Sequence, residues 1–308
     1  MAEVHHFTYG PFNPIAAFLL AFLGSFLGLL CTGRARSART RSRRNRWLMI
    51  AAFSIGGAAI WLMHFTAMLG FDVPASPVRF DMVLTMVSLA LCVFTVGVGL
   101  LVVGHGRRSF GKTVVAGVLT GGGVVAMHYT GMAGMHVSGR LIFDKPLVAA
   151  SAMIAVVAAT TALWFTQSVK GWVPITGAAV VMAIAVCGMH YTAMAAMSVE
   201  LAPVGAEGVK GIRPLLMIVP ITVVTAATIL AMALSALQAM TEEVFTDGAG
   251  MPKRGVHAEN AWSLKQASAM QMRRSRPSPR PVPTRPSPQK TPETELAGSA
   301  SLRGQSTP

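Results

Sequence analysis

Three stretches of the chain repeat one short pattern: LMHFTAMLGF at 62–71, AMHYTGMAGM at 126–135 and GMHYTAMAAM at 188–197. In each copy a methionine precedes a histidine, a threonine follows that histidine by two residues and a second methionine follows it by four. The three histidines are 64 and 62 residues apart. This interval fits two helices with their connecting loops, so the pattern predicts three structural repeats that run in the same direction.

The composition is that of a membrane protein. Of the 308 residues, 53% are hydrophobic and only 12% are charged, whereas soluble domains have about 25% charged residues. A helix needs about 20 apolar residues to cross the hydrocarbon layer. Seven stretches meet this requirement: 13–32, 47–70, 81–104, 113–135, 147–169, 174–197 and 215–238.

The distribution of lysine and arginine predicts the orientation of the spans. Seven arginines lie between 34 and 46 and ten basic residues lie in the last seventy positions. Because basic loops stay in the cytoplasm, we expect the N-terminus outside and the C-terminus inside. These charges fall in a loop and a tail and not on a folded basic face, so no nucleic-acid partner is expected. The opposite side has only five basic residues: Arg79, Arg140, Lys145, Lys210 and Arg213.

These patterns together predict the fold class and the domain organisation. Residues 8–240 are expected to form an all-α membrane domain of seven transmembrane helices, with parallel two-helix repeats around a pseudo-threefold axis. The apolar run near the N-terminus is interpreted as an uncleaved first span. Residues 241–308 are rich in proline, serine and arginine, which predicts a disordered basic cytoplasmic tail.

The repeated histidines are the candidate functional residues. They lie near the ends of even-numbered spans, toward the outer face, and a histidine within a membrane is a functional hypothesis by default. The methionine four residues later lies one turn above on the same helix face. Interhelical hydrogen bonding of the histidines and simple packing of the methionines are the alternatives. This argument selects His64, His128 and His190 with Met68, Met132 and Met194.

Small residues precede each histidine by seven positions, on the same face of a regular α-helix. They permit close approach of the helices, so the three faces are expected to converge. The residues are Gly57, Gly121 and Ala183.

Imidazole nitrogen and thioether sulfur favour copper, Cu(I) above all, whereas magnesium, calcium and manganese prefer oxygen ligands. No aspartate or glutamate lies on the motif faces. Haem iron is the second candidate, because paired histidines also serve as axial ligands. No nucleophile–base pair, phosphate-binding loop or acidic pair is present in the sequence, so enzymatic activity is not expected.

The tetrads MHYT at 127–130 and 189–192, with MHFT at 63–66, resemble the MHYT domain, a bacterial integral membrane sensor module. This resemblance implies seven spans in the bacterial inner (cytoplasmic) membrane, copper coordination near the outer face, and sensing of oxygen, carbon monoxide or nitric oxide. It implies a ligand set of Met63, His64, Met127, His128, Met189 and His190.

The resemblance also bears on how the chain would signal. Many members of this family continue into a cytoplasmic cyclase, phosphodiesterase or regulatory domain, for which the tail is too short. We therefore expect a copper-binding sensor that acts through a separate cytoplasmic partner. Copper handling or delivery and haem-based electron transfer are the alternatives, although the ligand-poor inner halves of the spans disfavour copper transport.

Overall fold

Six long apolar helices dominate the structure, a computed structural model that describes residues 4–5, 8, 10–201 and 209–217 and isolated positions up to 234. All six are long and apolar enough to cross a membrane, which confirms a mostly helical, multi-pass membrane protein. The predicted seventh span at 215–238 and the tail lie almost wholly outside the described residues. The helices are α1 (Phe12–Ser37), α2 (Arg41–Met68), α3 (Met82–Gly104), α4 (Phe110–Ala133), α5 (Lys145–Ser168) and α6 (Trp172–Ala195).

Polar caps set the beginnings of several helices. The side chain of Asp81 accepts a hydrogen bond from the backbone N–H of Leu84 at 2.9 Å, and Asp144 does the same for Leu147 at 3.0 Å. Each carboxylate satisfies an N–H that has no partner within its own helix. Thr40 caps α2 in the same way.

Large apolar side chains project outward from every one of the six helices. Such a surface is unfavourable in water but matches the hydrocarbon interior of a bilayer. The apolar surface therefore indicates lipid as the surrounding medium. One exposed example from each helix in turn is Leu19, Phe53, Phe94, Leu119, Trp164 and Ile184.

Glycines allow close contacts between neighbouring helices. A Cβ atom added at Gly121 of α4 would lie 2.6 Å from the Cα atom of Val156 on α5. A Cβ atom at Gly24 of α1 would lie 2.4 Å from the backbone nitrogen of Ala59 on α2. Both separations are too short for any side chain, so these glycines permit the observed packing.

The middle of α2 departs from regular helical geometry. Residues Phe53–Leu62 form a π-helical segment with i→i+5 hydrogen bonds, between two regular α-helical parts. A seven-residue interval no longer returns to the same face there. The expected alignment of Gly57 beneath His64 therefore does not hold. Close contact with α3 is made at Gly56, where an added Cβ atom would lie 3.0 Å from the Cα atom of Val93.

Short strands join the ends of the helices that carry the repeated motif. The strands are β1 (Arg79–Phe80), β2 (Met135–His136), β3 (Gly139–Phe143) and β4 (Met197–Leu201). β1 pairs with β2, and β3 pairs with β4 from Gly139↔Leu201 to Phe143↔Met197, both antiparallel.

The sequence analysis did not predict these strands. α4 ends at Ala133 and α6 ends at Ala195. Met135 and Met197 therefore lie on strands and do not extend the helical stripe of the motif.

Candidate metal centre

The three repeated histidines lie together at one end of the bundle. His64 on α2, His128 on α4 and His190 on α6 are 1%, 1% and 2% exposed. One ring nitrogen from each lies within 4.8 Å of the other two. The described part of the chain contains no other group of three or more histidine, cysteine or acidic residues arranged in this way.

The rings contact one another edge to face. Ring centroids are 4.7 Å apart for His64 and His128, 5.0 Å for His64 and His190, and 5.4 Å for His128 and His190. The Nδ1 atoms of His64 and His190 are 3.0 Å apart, so one donates a hydrogen bond and the other accepts it. His64 is thus in direct contact with both of the other rings.

Two ring nitrogens in this cluster have no hydrogen-bond partner. The Nε2 atoms of His64 and His128 are buried and unpaired. An unpaired buried polar atom costs about 1–3 kcal/mol. A bound ion would provide the missing interaction, so the donor set fits a metal.

The six motif methionines are all buried, from 1% to 3% exposed. Met63 packs in a small apolar cluster that includes Ala17, Ala21 and Ala183, separate from the large core that contains the other five. The motif methionines are therefore not equivalent, and their assignment as ligands stays a prediction. They are Met63, Met127, Met189, Met68, Met132 and Met194.

A close backbone approach at the cluster was missed by sequence reasoning. A Cβ atom added at Gly131 would lie only 2.9 Å from Nε2 of His64, one of the two unpaired nitrogens. The corresponding residue, three after the histidine, is Ala67 in the first copy and Ala193 in the third. The signal in the sequence was a small residue at this position in all three copies.

Replacement of Gly131 by alanine is expected to lower the affinity of the histidine cluster for a metal ion, with copper as the predicted ion, without unfolding the protein. The added methyl group would crowd Nε2 of His64 at less than van der Waals distance. Gly188→Ala is the matched control, because a Cβ atom there meets nothing within 4 Å. Copper affinity is measured against a calibrated Cu(I) chelator, and equal affinities for the two variants would contradict the expectation.

The described histidines outside the three motifs do not join the cluster. His136 is near the surface, and its Nδ1 atom contacts the carbonyl oxygen of Lys210 at 3.1 Å. The backbone of His5 pairs with Asp72, and His6 lies outside the described residues. Cys187 is partly buried and is not among the grouped side chains.

The aromatic residues that follow the histidines surround the cluster. Phe65 is 1% exposed, with its ring 4.7 Å from that of Trp61. The fold therefore encloses Phe65 completely. The ring of Tyr129 meets His128 edge to face at 5.1 Å, and its hydroxyl lies 3.2 Å from Oγ of Ser151.

An apolar cavity of about 50 Å³ lies among the helices, about one helical turn from the cluster. Ile60, Val124 and Val186, each four residues before one of the histidines, line this cavity, whereas the three histidines do not. Oγ of Ser25 and Oγ1 of Thr120 are buried at its wall without hydrogen-bond partners. A space of this size accommodates a small molecule and is mostly apolar.

Comparison with known proteins identifies a bacterial family with this repeat. The family model described as "MHYT: Bacterial signalling protein N terminal repeat" matches twice, at residues 57–116 and 121–179. No solved structure matches.

Curated relatives come from several bacteria. The chain is 36% identical over 183 residues to the bifunctional diguanylate cyclase/cyclic di-GMP phosphodiesterase MucR of Pseudomonas aeruginosa, covering 58% of this chain and 26% of that protein. It is 32% identical over 197 residues to the cyclic di-GMP phosphodiesterase NbdA of the same species, covering 62% and 24%. It is 27% identical over 210 residues to the signaling protein YkoW of Bacillus subtilis, covering 65% and 26%.

The chain spans about a quarter of the length of these relatives. The activities in their names are those of the whole relatives. The two matched repeats and the three histidine motifs show that the membrane part of this chain belongs to the MHYT family.

Proposed function

We propose that the chain is a membrane sensor whose histidine cluster binds copper and responds to a diatomic gas or to redox state. The observation that supports this most strongly is the convergence of three buried histidines from three helices, two of them with unpaired Nε2 atoms. Hydrogen bonding between histidines alone does not account for those two nitrogens. The proposal includes the inner membrane of a bacterium, with the cluster near the outer face.

Copper suits the chemistry of the cluster. Desolvation favours neutral imidazole nitrogens, and buried thioethers supply soft donors. Two nitrogens that bind one ion lie at most about 4 Å apart. The histidine nitrogens lie within 4.8 Å of one another, so a ring movement of about 1 Å would bring them to a distance at which they bind one ion. When bound, the copper would supply a redox-active centre with affinity for small diatomic ligands.

The surroundings of the cluster favour a gas over a larger ligand. The histidines are at most 2% exposed, and the adjoining cavity measures about 50 Å³. A neutral diatomic molecule crosses apolar protein and lipid without the desolvation cost of an ion. It would act as a signal only by binding two conformations of the bundle with different affinity.

The alternatives fit the cluster less well. Copper delivery needs a path for the ion, but the cavity next to the cluster is lined mainly by alanine, valine, leucine and isoleucine. Haem needs space for a macrocycle between its axial ligands. His64 and His190 are in direct contact, with their Nδ1 atoms 3.0 Å apart, which leaves no such space between them.

The signal is proposed to pass to a separate cytoplasmic partner. MucR and NbdA are named for cyclic di-GMP synthesis or breakdown, and this chain matches only about a quarter of each. We therefore propose a sensing role without catalysis for the matched region. A partner that makes or degrades a cyclic dinucleotide is the first candidate.

Metal analysis of the purified full-length protein tests the proposal. We expect stoichiometric copper by mass spectrometry, no Soret absorption, and an infrared band of bound carbon monoxide in the reduced protein. Zinc in place of copper would contradict the redox and gas roles. Absence of any transition metal after incubation with Cu(I) would overturn the metal centre altogether.

A further inference from the structure

A polar pocket lies at the end of the bundle opposite to the histidine cluster, where the loops are rich in arginine. It has a volume of about 190 Å³. Arg36 comes from the end of α1, Arg44 from the beginning of α2 and Arg108 from the loop between α3 and α4. Positive-inside orientation would place this end in the cytoplasm.

The pocket collects positive charge without a compensating carboxylate. Among the described residues that line it there is no aspartate or glutamate, and its other polar side chains are Thr32, Thr166 and Gln167. Three guanidinium groups around one partly enclosed space repel each other more strongly than they would in water. An anion in the pocket would relieve this repulsion.

Hydrogen bonding leaves donors available in the pocket. Arg36 donates to the carbonyl oxygens of Thr166 and, at 2.5 Å, Val169, at the end of α5. Nε of Arg44 is buried and has no hydrogen-bond partner. One arginine thus supports the fold, whereas Arg44 retains an unsatisfied donor.

We propose that this pocket binds a phosphate group through Arg44 and Arg108, with Arg36 at its wall. Guanidinium groups donate paired hydrogen bonds that match phosphate oxygens. The phosphate comes either from the headgroup of an anionic lipid or from a soluble phosphate compound. Basic pockets at the cytoplasmic ends of membrane helices are suited to both sources.

Binding of two probes to the full-length protein in phosphatidylcholine nanodiscs tests the proposal. Retention of phosphatidylglycerol is followed by native mass spectrometry, and binding of inorganic pyrophosphate is followed by calorimetry. Binding of the first probe identifies a lipid headgroup, and binding of the second identifies a soluble ligand. Failure of the wild-type chain to bind either probe overturns the proposal.

The decisive variant is the double substitution Arg44→Gln with Arg108→Gln. We expect it to weaken binding by about tenfold or more, because two charged hydrogen-bond donors are lost. The matched control is Arg39→Gln with Arg41→Gln, which removes two exposed charges from the adjoining loop and the first residue of α2, both outside the pocket. It is expected to change binding by no more than about twofold.

Equal losses in the two double variants would show general surface attraction and would overturn the site. The single variant Arg108→Gln keeps the test valid if the double variant does not fold, because Arg108 is exposed in a loop. It should weaken binding by severalfold while an exposed control, Arg41→Gln, does not. These results are independent of copper binding at the histidine cluster.

Discussion

Under the proposed function, replacement of His64 by alanine is expected to remove most of the copper bound by the wild-type chain. His64 contacts both of the other rings, at 3.0 Å between Nδ1 atoms with His190 and at 4.7 Å between centroids with His128. Loss of an outer-shell partner alone costs about 10–100-fold in metal affinity. Loss of a direct ligand should therefore cost about 100-fold or more, measured by competition with a Cu(I) chelator.

His136→Ala is the matched control for this experiment. It removes an imidazole from a short strand outside the cluster, so copper affinity should stay at the wild-type value. His64→Asn retains a polar group of similar reach and separates ligand loss from a packing defect. Full copper retention in His64→Ala, His128→Ala and His190→Ala alike would exclude the cluster as the copper site.

Of the predicted substitutions, Gly121→Leu is expected to cause the largest loss of folding stability. The added Cβ atom would lie 2.6 Å from the Cα atom of Val156, a backbone atom that cannot turn aside as a side chain does. Overpacking of this kind costs about 1–3 kcal/mol or more. We expect a clear fall in the thermal unfolding temperature in detergent, with reduced yield of folded protein.

The neighbouring glycine provides a control on the same turn of α4. Gly122 is exposed, and an added Cβ atom there meets nothing within 4 Å. Gly122→Leu should leave the unfolding temperature unchanged or raise it slightly, because leucine favours a helix over glycine by up to about 1 kcal/mol. Equal destabilisation by both leucines would show that the contact with α5 is not the cause of the loss at Gly121.

Much of the architecture followed from the sequence because a bilayer imposes simple requirements on a chain. Hydropathy alone located the six described spans to within several residues. Repetition of one histidine at the same point of three helices predicted that His64, His128 and His190 share a location. Their contact in the structure agrees with that expectation.

Other features could not be predicted because they depend on contacts between segments distant in the chain. The strand pair β3–β4 joins residues about 60 positions apart, with side chains that alone do not indicate strands. The approach of Gly131 to His64 depends on how α2 packs against α4. The amino-acid composition of the π-helical segment of α2 does not distinguish it from an apolar α-helix.

The π-helical segment of α2 distinguishes this helix from α4 and α6, which are α-helical throughout. A π-helical segment holds a surplus residue, and conversion to α-helix would release it. With about 100° of rotation per residue of α-helix, the part beyond Phe53–Leu62 would then revolve about its own axis. Such a rotation would change the position of the His64 ring relative to the rings of His128 and His190, which lie on regular α-helices.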